Sequence, residues 1–530
     1  MKKIILGGLI AASIFSCQGQ KKAPQKKAEK PNIVFLFTDD QTYTSIHALG
    51  NEEIITPNFD RLVTQGTTFT NAYNMGSWSG AVCLASRAMM NSGLYVWRAE
   101  QRSKEWHKGQ NVDKSWGTLM ASQGYDTYMT GKWHVGASAN KMFQYTSNVR
   151  PGMPEDEFKR QKIRKKIDSL KRINSDDYPS IMPVGYNRPL GPDDHSWSPS
   201  DPKHGGFWKG GKHWSEVLKD DALTFINQAK SKEAPFFMYL AFNAPHDPRQ
   251  APQEFVDMYP LENISVPESF LPEYPYRHQV DLGSEVRDEA LAPFPRTEYA
   301  VKVHKQEYYA SITHLDAQIG LILDALEASG KMDNTYIFLS SDHGLAMGRH
   351  GLLGKQNLYD HSIRPPMILL GPDIPKNNKV TADVYLQDVM ATSLELAGVS
   401  KPDYVEFKGF YDLAKGDQKE SHYDAIYGGY KKVQRMIRKD GYKLLVYPKA
   451  KKVRLYHVAK DPNELNDLAD KPEYAAKVKS LLTDLIDLQH QRRRNDKRTP
   501  RQWTHGEERM NESPPMVRIL SGASPHSTNK

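Results

Sequence analysis

"PNIVFLFTDD", residues 31–40, sets an unbroken apolar run against two adjacent aspartates. A run without a polar alternate face suits a strand buried on both sides, the kind found inside a parallel sheet. In open α/β sheets ligands bind off the carboxyl ends of the strands, so Asp39 and Asp40 stand where chemistry is expected. The same pattern recurs along the chain. Residues 125–130 lead into Gly131-Lys132-Trp133-His134, 235–242 into Asn243-Ala244-Pro245-His246, 335–340 into Ser341-Asp342-His343-Gly344, and 366–370 into Gly371-Pro372. Helical patterns lie between them; residues 302–329 bring Val303, Tyr309, Ile312, Ile319, Ile322 and Leu326 to one face. Strands alternating with helices predict an open α/β sheet, with the polar strand ends converging on one site.

From about residue 421 the texture changes. "MIRKDGYKLLVYPKAKKVRLYHV", residues 436–458, reads as antiparallel strands joined by turns, and a helix is expected near 473–491. The chain is therefore divided into a main domain over 31–415, a smaller C-terminal α+β subdomain over 416–495, and a basic, then Pro-, Ser- and Gly-rich tail over 496–530. The opening "MKKIILGGLIAASIFSC" has the layout of a secretory signal, and its ending resembles a bacterial lipobox. Residues 1–17 are thus expected to be a lipoprotein signal peptide, with a lipid anchor at Cys17 and a polar tether over 18–30. The expected location is the bacterial cell envelope, periplasmic or outer-membrane. The net charge of +8 gives no nucleic-acid signature, because residues 1–30 alone carry seven lysines against one glutamate. Cys83 is the only cysteine besides Cys17, so no internal disulfide is expected and stability must come from a core.

Cys83-Leu84-Ala85-Ser86-Arg87 resembles the signature of the formylglycine-dependent (type I) sulfatases, Cys-x-Pro/Ala-x-Arg. Further stretches resemble that family in order: "NIVFLFTDDQ", "TPNFDRLVTQGTTFTNAY", "GYDTYMTGKWHVG", "FNAPHDPRQAP", "SSDHGLAMGRHGLLGK", "ELAGV" and "RKDGYKLLVYPKAKKVRLYHVAKDPNELNDLA". The resemblance covers roughly residues 31–490. It implies an alkaline phosphatase-like α/β fold: a large central mixed, mostly parallel sheet flanked by helices, with a smaller C-terminal α+β subdomain carrying an antiparallel sheet. It also implies sulfate-ester hydrolysis, with residue 83 converted to 3-oxoalanine (Cα-formylglycine) and hydrated to a geminal diol. Ala85, where many members have proline, fits a maturase of the oxygen-independent radical SAM type.

Adjacent aspartates repel unless a cation lies between them. Asp39, Asp40, Asp342 and His343, together with residue 83, form the expected metal set. Hard oxygen donors favour calcium or magnesium, and the resemblance selects calcium. His343 departs from the asparagine of many members. Arg87 is expected to hold the formylglycine and touch the sulfate, for which its planar fork is suited. A helix starting near Cys83 would add the positive end of its dipole. By resemblance, Lys132 and Lys355 bind the sulfate, His134 bonds to the hydrated aldehyde, and His246 protonates the leaving oxygen. His350 is read as structural. The implied reaction has two steps, transfer of SO₃ to residue 83 and its release as the aldehyde reforms.

Between His134 and Leu218 lies an insertion. "DEFKRQKIRKKIDSLKRI", residues 156–173, reads as a basic amphipathic helix with Phe158, Ile163, Ile167 and Leu170 toward the body. Residues 195–216 crowd Trp197, His204, Phe207, Trp208, Lys209, Lys212, His213 and Trp214 together, suited equally to stacking on anionic sugars and to packing a loop. The expected substrates are sulfated oligosaccharides from algal or host polysaccharides such as ulvan, carrageenan, fucan or glycosaminoglycan. Two alternatives stand beside this: a phosphonate monoester or phosphodiester hydrolase of the same superfamily, and a non-catalytic glycan-binding lipoprotein.

Overall fold

The run quoted first becomes strand β1, Asn32–Thr38, every residue of it buried. In this computed structural model residues 30–152, 160–173, 175, 177–204 and 208–494 are described. The expected leader, Cys17, all but the last residue of the tether, the tail, Phe158 and Phe207 lie outside the described residues. Strand β1 is joined by β2 (Thr67–Phe69), β3 (Asp126–Lys132), β4 (Tyr145–Arg150), β5 (Phe236–Ala241), β6 (Thr335–Ser341), β7 (Met367–Leu370) and β8 (Asn378–Val380). They form one eight-stranded sheet in the order β8-β2-β7-β6-β1-β5-β3-β4. Strand β1 lies parallel to both β5 and β6, and β3 parallel to both β4 and β5. Strand β7 is antiparallel to β6 and to β2. The sheet is therefore mixed and mostly parallel. One expectation is corrected by that reversal: Leu370 faces Ile337, so Gly371-Pro372 lies at the other end of the strands from Asp342.

Alternate residues of the buried strands feed two cores, because successive side chains of a strand face opposite ways. Val34, Leu36, Met238, Leu240, Ile337 and Leu339 pack with helices α1 (Pro57–Gln65), α5 (Trp214–Ala229) and α6 (Glu298–Ala328). Ile33, Phe35, Phe37, Phe237, Tyr239 and Phe338 pack with α2 (Val82–Ser92), α3 (Trp116–Ser122) and α7 (Asp388–Leu396). Three layers result. In α6, Tyr309, Ile312, Ile319, Ile322 and Leu326 are buried as the periodicity predicts, and Val303 is half-buried. In the insertion, Ile163 and Ile167 of α4 (Arg160–Arg172) pack on Tyr178, with Leu170 beside them. Among the described residues no helix is long and apolar enough to cross a membrane.

The C-terminal strands β9 (Ile426–Tyr430), β10 (Gln434–Lys439), β11 (Tyr442–Tyr447) and β12 (Lys452–Tyr456) form an antiparallel sheet, and helix α8 (Ala475–Arg494) follows them. The sheet gains a fifth, parallel strand from Gly76–Ser77. Gly76 has φ +99°, and a Cβ there would lie 2.0 Å from the Gly429 carbonyl, so only glycine permits this pairing. One core unites Tyr73, Met75, Val82, Cys83 and Met89 with Ile426, Met436, Leu444, Leu455 and Leu481. The buried Lys443 ammonium joins Asp360 at 2.7 Å and Glu464 at 2.6 Å across the same contact.

Candidate active site

Strands β1 and β6 end side by side, which brings Asp39, Asp40 and Asp342 together with no exposed surface. Asp40 takes φ +70°, a left-handed conformation that aspartate tolerates better than most residues. Its N–H donates to Asp342 Oδ1 at 3.1 Å. Helix α2 begins at Val82, so Cys83 sits in its first turn and Arg87 follows one turn later on the same face. Cys83 Sγ lies 3.3 Å from Asp39 Oδ1 and 3.8 Å from Asp40 Oδ1. Asp39, Asp40, Cys83 and Asp342 offer ligand atoms that all lie within 4.8 Å of one another.

Cationic side chains close around these carboxylates. Lys132 Nζ bonds to Asp39 Oδ2 and Lys355 Nζ to Asp40 Oδ2. Arg87 Nε donates to Asp342 Oδ2 at 3.1 Å, and its Nη1 donates to the Lys132 carbonyl at 2.7 Å. A register shift between Thr130 and Gly131 precedes Lys132; such a bulge re-aims the side chain that follows. His246 Nδ1 donates to the Asp247 carbonyl at 2.6 Å, which leaves Nε2 facing Asp40 Oδ2 at 3.8 Å.

Burial and the neighbouring Asp342 push the Asp39 carboxyl up to about 6, against the pull of Lys132 and Arg87. Burial also raises Asp40 well above the usual range, opposed by Lys355. Asp342 goes the other way: burial would raise it, but Arg87 and Lys132 hold it far below an ordinary carboxylate. Burial, then Asp342 and Asp39, push the Cys83 thiol well up. Burial with Lys355 and Lys132 keeps His246 neutral far below its usual range. His134 falls to about 3 through burial, Lys132 and Arg87.

His343, the remaining expected ligand, is buried next to Asp342. Its Nε2 donates to the Val82 carbonyl at 3.3 Å, and its ring is outside the group of ligand atoms, whose fourth member is Cys83. His134, at φ +47°, lies with its ring against Gly152, and it senses Lys132, Arg87 and Asp342. His350 stacks on Tyr359 at 4.1 Å, as a structural residue should. The aromatic loop is largely engaged in packing. Arg188 lies over Trp197 and Arg150 over Trp214, while Lys209 reaches Asn148 and Lys212 reaches Asp220.

Sequence reasoning passed over Asp247, Asp288 and Gln41. Asp247 is visible only as the neighbour of His246. Asp288 lies 3.8 Å from Lys355 Nζ in a segment without any motif. Gln41 is fully buried next to Asp40, and neither of its amide atoms has a hydrogen-bond partner.

The residues fit a hard divalent cation. Three carboxylates supply oxygen donors in a buried cluster, the donor type calcium and magnesium take. Arg87 Nη2, 3.8 Å from Asp39 Oδ1, is buried without a hydrogen bond, as expected where an oxygen-rich ligand enters. Chemically the arrangement offers a side chain at a helix N-terminus, carboxylates behind it, and two ammonium groups and a guanidinium around it, suited to an anionic ester.

A family model described as Sulfatase matches residues 31–399, and one described as N-sulphoglucosamine sulphohydrolase, C-terminal, matches residues 348–491. An arylsulfatase of Clostridium perfringens is 29% identical over 471 residues, covering 86% of this chain and 94% of its own. An ulvan-active sulfatase of Formosa agariphila is 26% identical over 502 residues, covering 90% of this chain and 86% of its own. A protein solved in complex with its substrate D-glucosamine-2-N,6-O-disulfate shares the fold, with a TM-score of 0.64 at 21% identity over 88% of this chain and 99% of that one.

Proposed function

This chain belongs to the sulfatase family, with its alkaline phosphatase-like fold, and is a sulfuric ester hydrolase; from that premise we propose that it removes sulfate from sulfated oligosaccharides, with formylglycine at residue 83 and calcium at Asp39, Asp40 and Asp342. The observation that carries this reading is Cys83 at the start of α2, 3.3 Å from Asp39 Oδ1 and one turn from Arg87. A thiol pushed up among carboxylates is a poor thiolate, so an unmodified cysteine is the wrong nucleophile for this setting. As the hydrated aldehyde, residue 83 supplies an oxygen to take SO₃ and a second hydroxyl whose collapse releases sulfate. A calcium ion held by Asp39, Asp40 and Asp342 would supply Lewis-acid charge there.

The chain's own residues do the rest. Arg87, fixed by Asp342 and the Lys132 carbonyl, orients residue 83 and faces the ester's charge. Lys132 and Lys355 neutralise Asp39 and Asp40 and add positive potential where sulfate oxygens gather. His246 presents Nε2, the atom that must carry the proton for the leaving oxygen. Its protonation is opposed by burial and then by Lys355 and Lys132, and an anionic ester between them offsets the share of the two lysines.

Support for a carbohydrate comes from the ulvan-active relative and from an N-acetylglucosamine-6-O-sulfatase of Bacteroides thetaiotaomicron, 25% identical over 561 residues. The complete set of Cys83, Arg87, Lys132, His246 and Lys355 in one place argues against a non-catalytic binding protein. Export, a lipid anchor at Cys17, a place in the cell envelope and a radical SAM-type maturase complete the proposal. The deciding experiment is sulfate release from defined sulfated oligosaccharides by protein co-produced with such a maturase. Release from a sugar sulfate is expected. A stronger preference for aryl phosphonates, or an intact mass showing residue 83 still a thiol in active protein, would overturn the reading.

A further inference from the structure

Three consecutive residues outside every motif, Arg287-Asp288-Glu289, meet the site from one side. The Arg287 guanidinium pairs with the Asp247 carboxylate. Asp247 in turn supplies the carbonyl that fixes His246 Nδ1, and its Oδ1 stands 3.6 Å from that nitrogen. Asp288 lies 3.8 Å from Lys355 Nζ and accepts a 2.7 Å bond from Gln356 Nε2. Glu289, with no exposed surface, accepts the N–H groups of Leu353 at 3.0 Å and Gly354 at 2.9 Å, the two residues before Lys355. Arg296 clamps Glu289 at 2.5 Å. One short strap thus reaches both His246 and Lys355.

Buried ion pairs are a costly way to hold a loop; apolar packing of the same volume often does so at no loss of stability. What ion pairs and charged hydrogen bonds give is direction. Here each points at a residue that carries or adjoins a working side chain. We infer that Arg287, Asp288 and Glu289 are positioning residues for ester cleavage. Arg287, through Asp247, sets His246 Nε2 toward the leaving oxygen; Asp288 and Glu289 set the Lys355 ammonium against the sulfate. The inference rests on the roles given to His246 and Lys355 above.

The test uses matured, calcium-loaded protein and a series of aryl sulfates whose phenols become steadily less acidic. Arg287→Met lowers kcat/KM by about 10- to 100-fold, with the loss growing as the phenol becomes less acidic, and Arg287→Lys recovers part of it. Asp288→Asn keeps an acceptor for Gln356 but not the charge. It weakens inhibition by inorganic sulfate about tenfold and leaves the leaving-group dependence of the parent. Equal losses across all phenols for Arg287→Met, or parental sulfate inhibition in Asp288→Asn, overturn the strap's role. Should Arg287→Met fail to fold, Arg287→Lys carries the same comparison. His246→Ala and Lys355→Ala separate the two readings. If His246→Ala shows no leaving-group dependence and Lys355→Ala no change in sulfate inhibition, the roles the strap serves fall, and the strap's with them.

Discussion

Asp39 shows how one residue's surroundings set its chemistry. Its carboxyl is held up at about 6 by burial and by Asp342. A cation must therefore displace a proton from Asp39 below that pH, and metal binding should strengthen as pH rises through it. Calcium affinity of the metal-free protein is expected to be about tenfold weaker at pH 5 than at pH 7.5; isothermal titration at the two pH values checks this, and equal affinities would contradict it. Arg87 is a second case. Its two directed bonds, to Asp342 and to the Lys132 carbonyl, use the planar fork. Arg87→Lys keeps the charge but not the fork, and kcat/KM of the folded variant is expected to fall roughly 100-fold. Parental turnover of an aryl sulfate by that variant would deny Arg87 its role. The convergence of Asp39, Asp40, Cys83, Arg87, Lys132 and Lys355 was legible because each stands within a compact motif, three of them at strand ends. The bond from His343 to the Val82 carbonyl was not legible, because spacing does not say which way a ring turns. Asp288 was invisible because it meets Gln356 from 68 residues away, with no local pattern to mark it.

At the scale of elements, apolar runs announced the buried strands and periodicity announced α6, but neither revealed a bulge or a strand reversal. Gly131 illustrates what was missed. It has φ +87°, and a Cβ there would lie 1.9 Å from the Ala241 carbonyl on β5. Gly131→Ala must push β3 away from β5 and turn Lys132 aside. A loss of about 1–3 kcal/mol in a denaturant titration is expected, together with loss of activity; parental stability would show that the bulge tolerates a side chain. Helix α7 carries a pH-sensitive start. Burial raises Asp388 to about 8, although Tyr423, Tyr385 and Lys408 donate to it. The folded state binds this proton more tightly than the unfolded chain. Its contribution is therefore favourable on the acid side and is lost as pH rises from about 4 through about 8. Asp388→Asn should flatten that part of the decline in stability, read from denaturant midpoints at pH 5 and pH 8. An identical slope in the variant would remove Asp388 from the account.

For the whole molecule, the change of texture near residue 421 correctly announced a second sheet. It did not announce that the sheet borrows Gly76–Ser77 or shares a core with the start of α2. Such partnerships join residues some 350 positions apart, beyond the reach of local pattern. The main domain is consequently incomplete alone. A chain ending at residue 415 is expected to be inactive and poorly soluble, since Met75, Val82 and Met89 lose their cover. Soluble, active protein of that length would contradict the shared core.

Cys83, only 3% exposed, has a bearing on biosynthesis. The strands that share its core, β9 to β12, leave the ribosome more than 300 residues later. The conversion proposed for residue 83 would therefore have its opportunity on the nascent or still-unfolded chain, before the last sheet docks. A purified polypeptide that folded unmodified should resist later conversion until it is denatured.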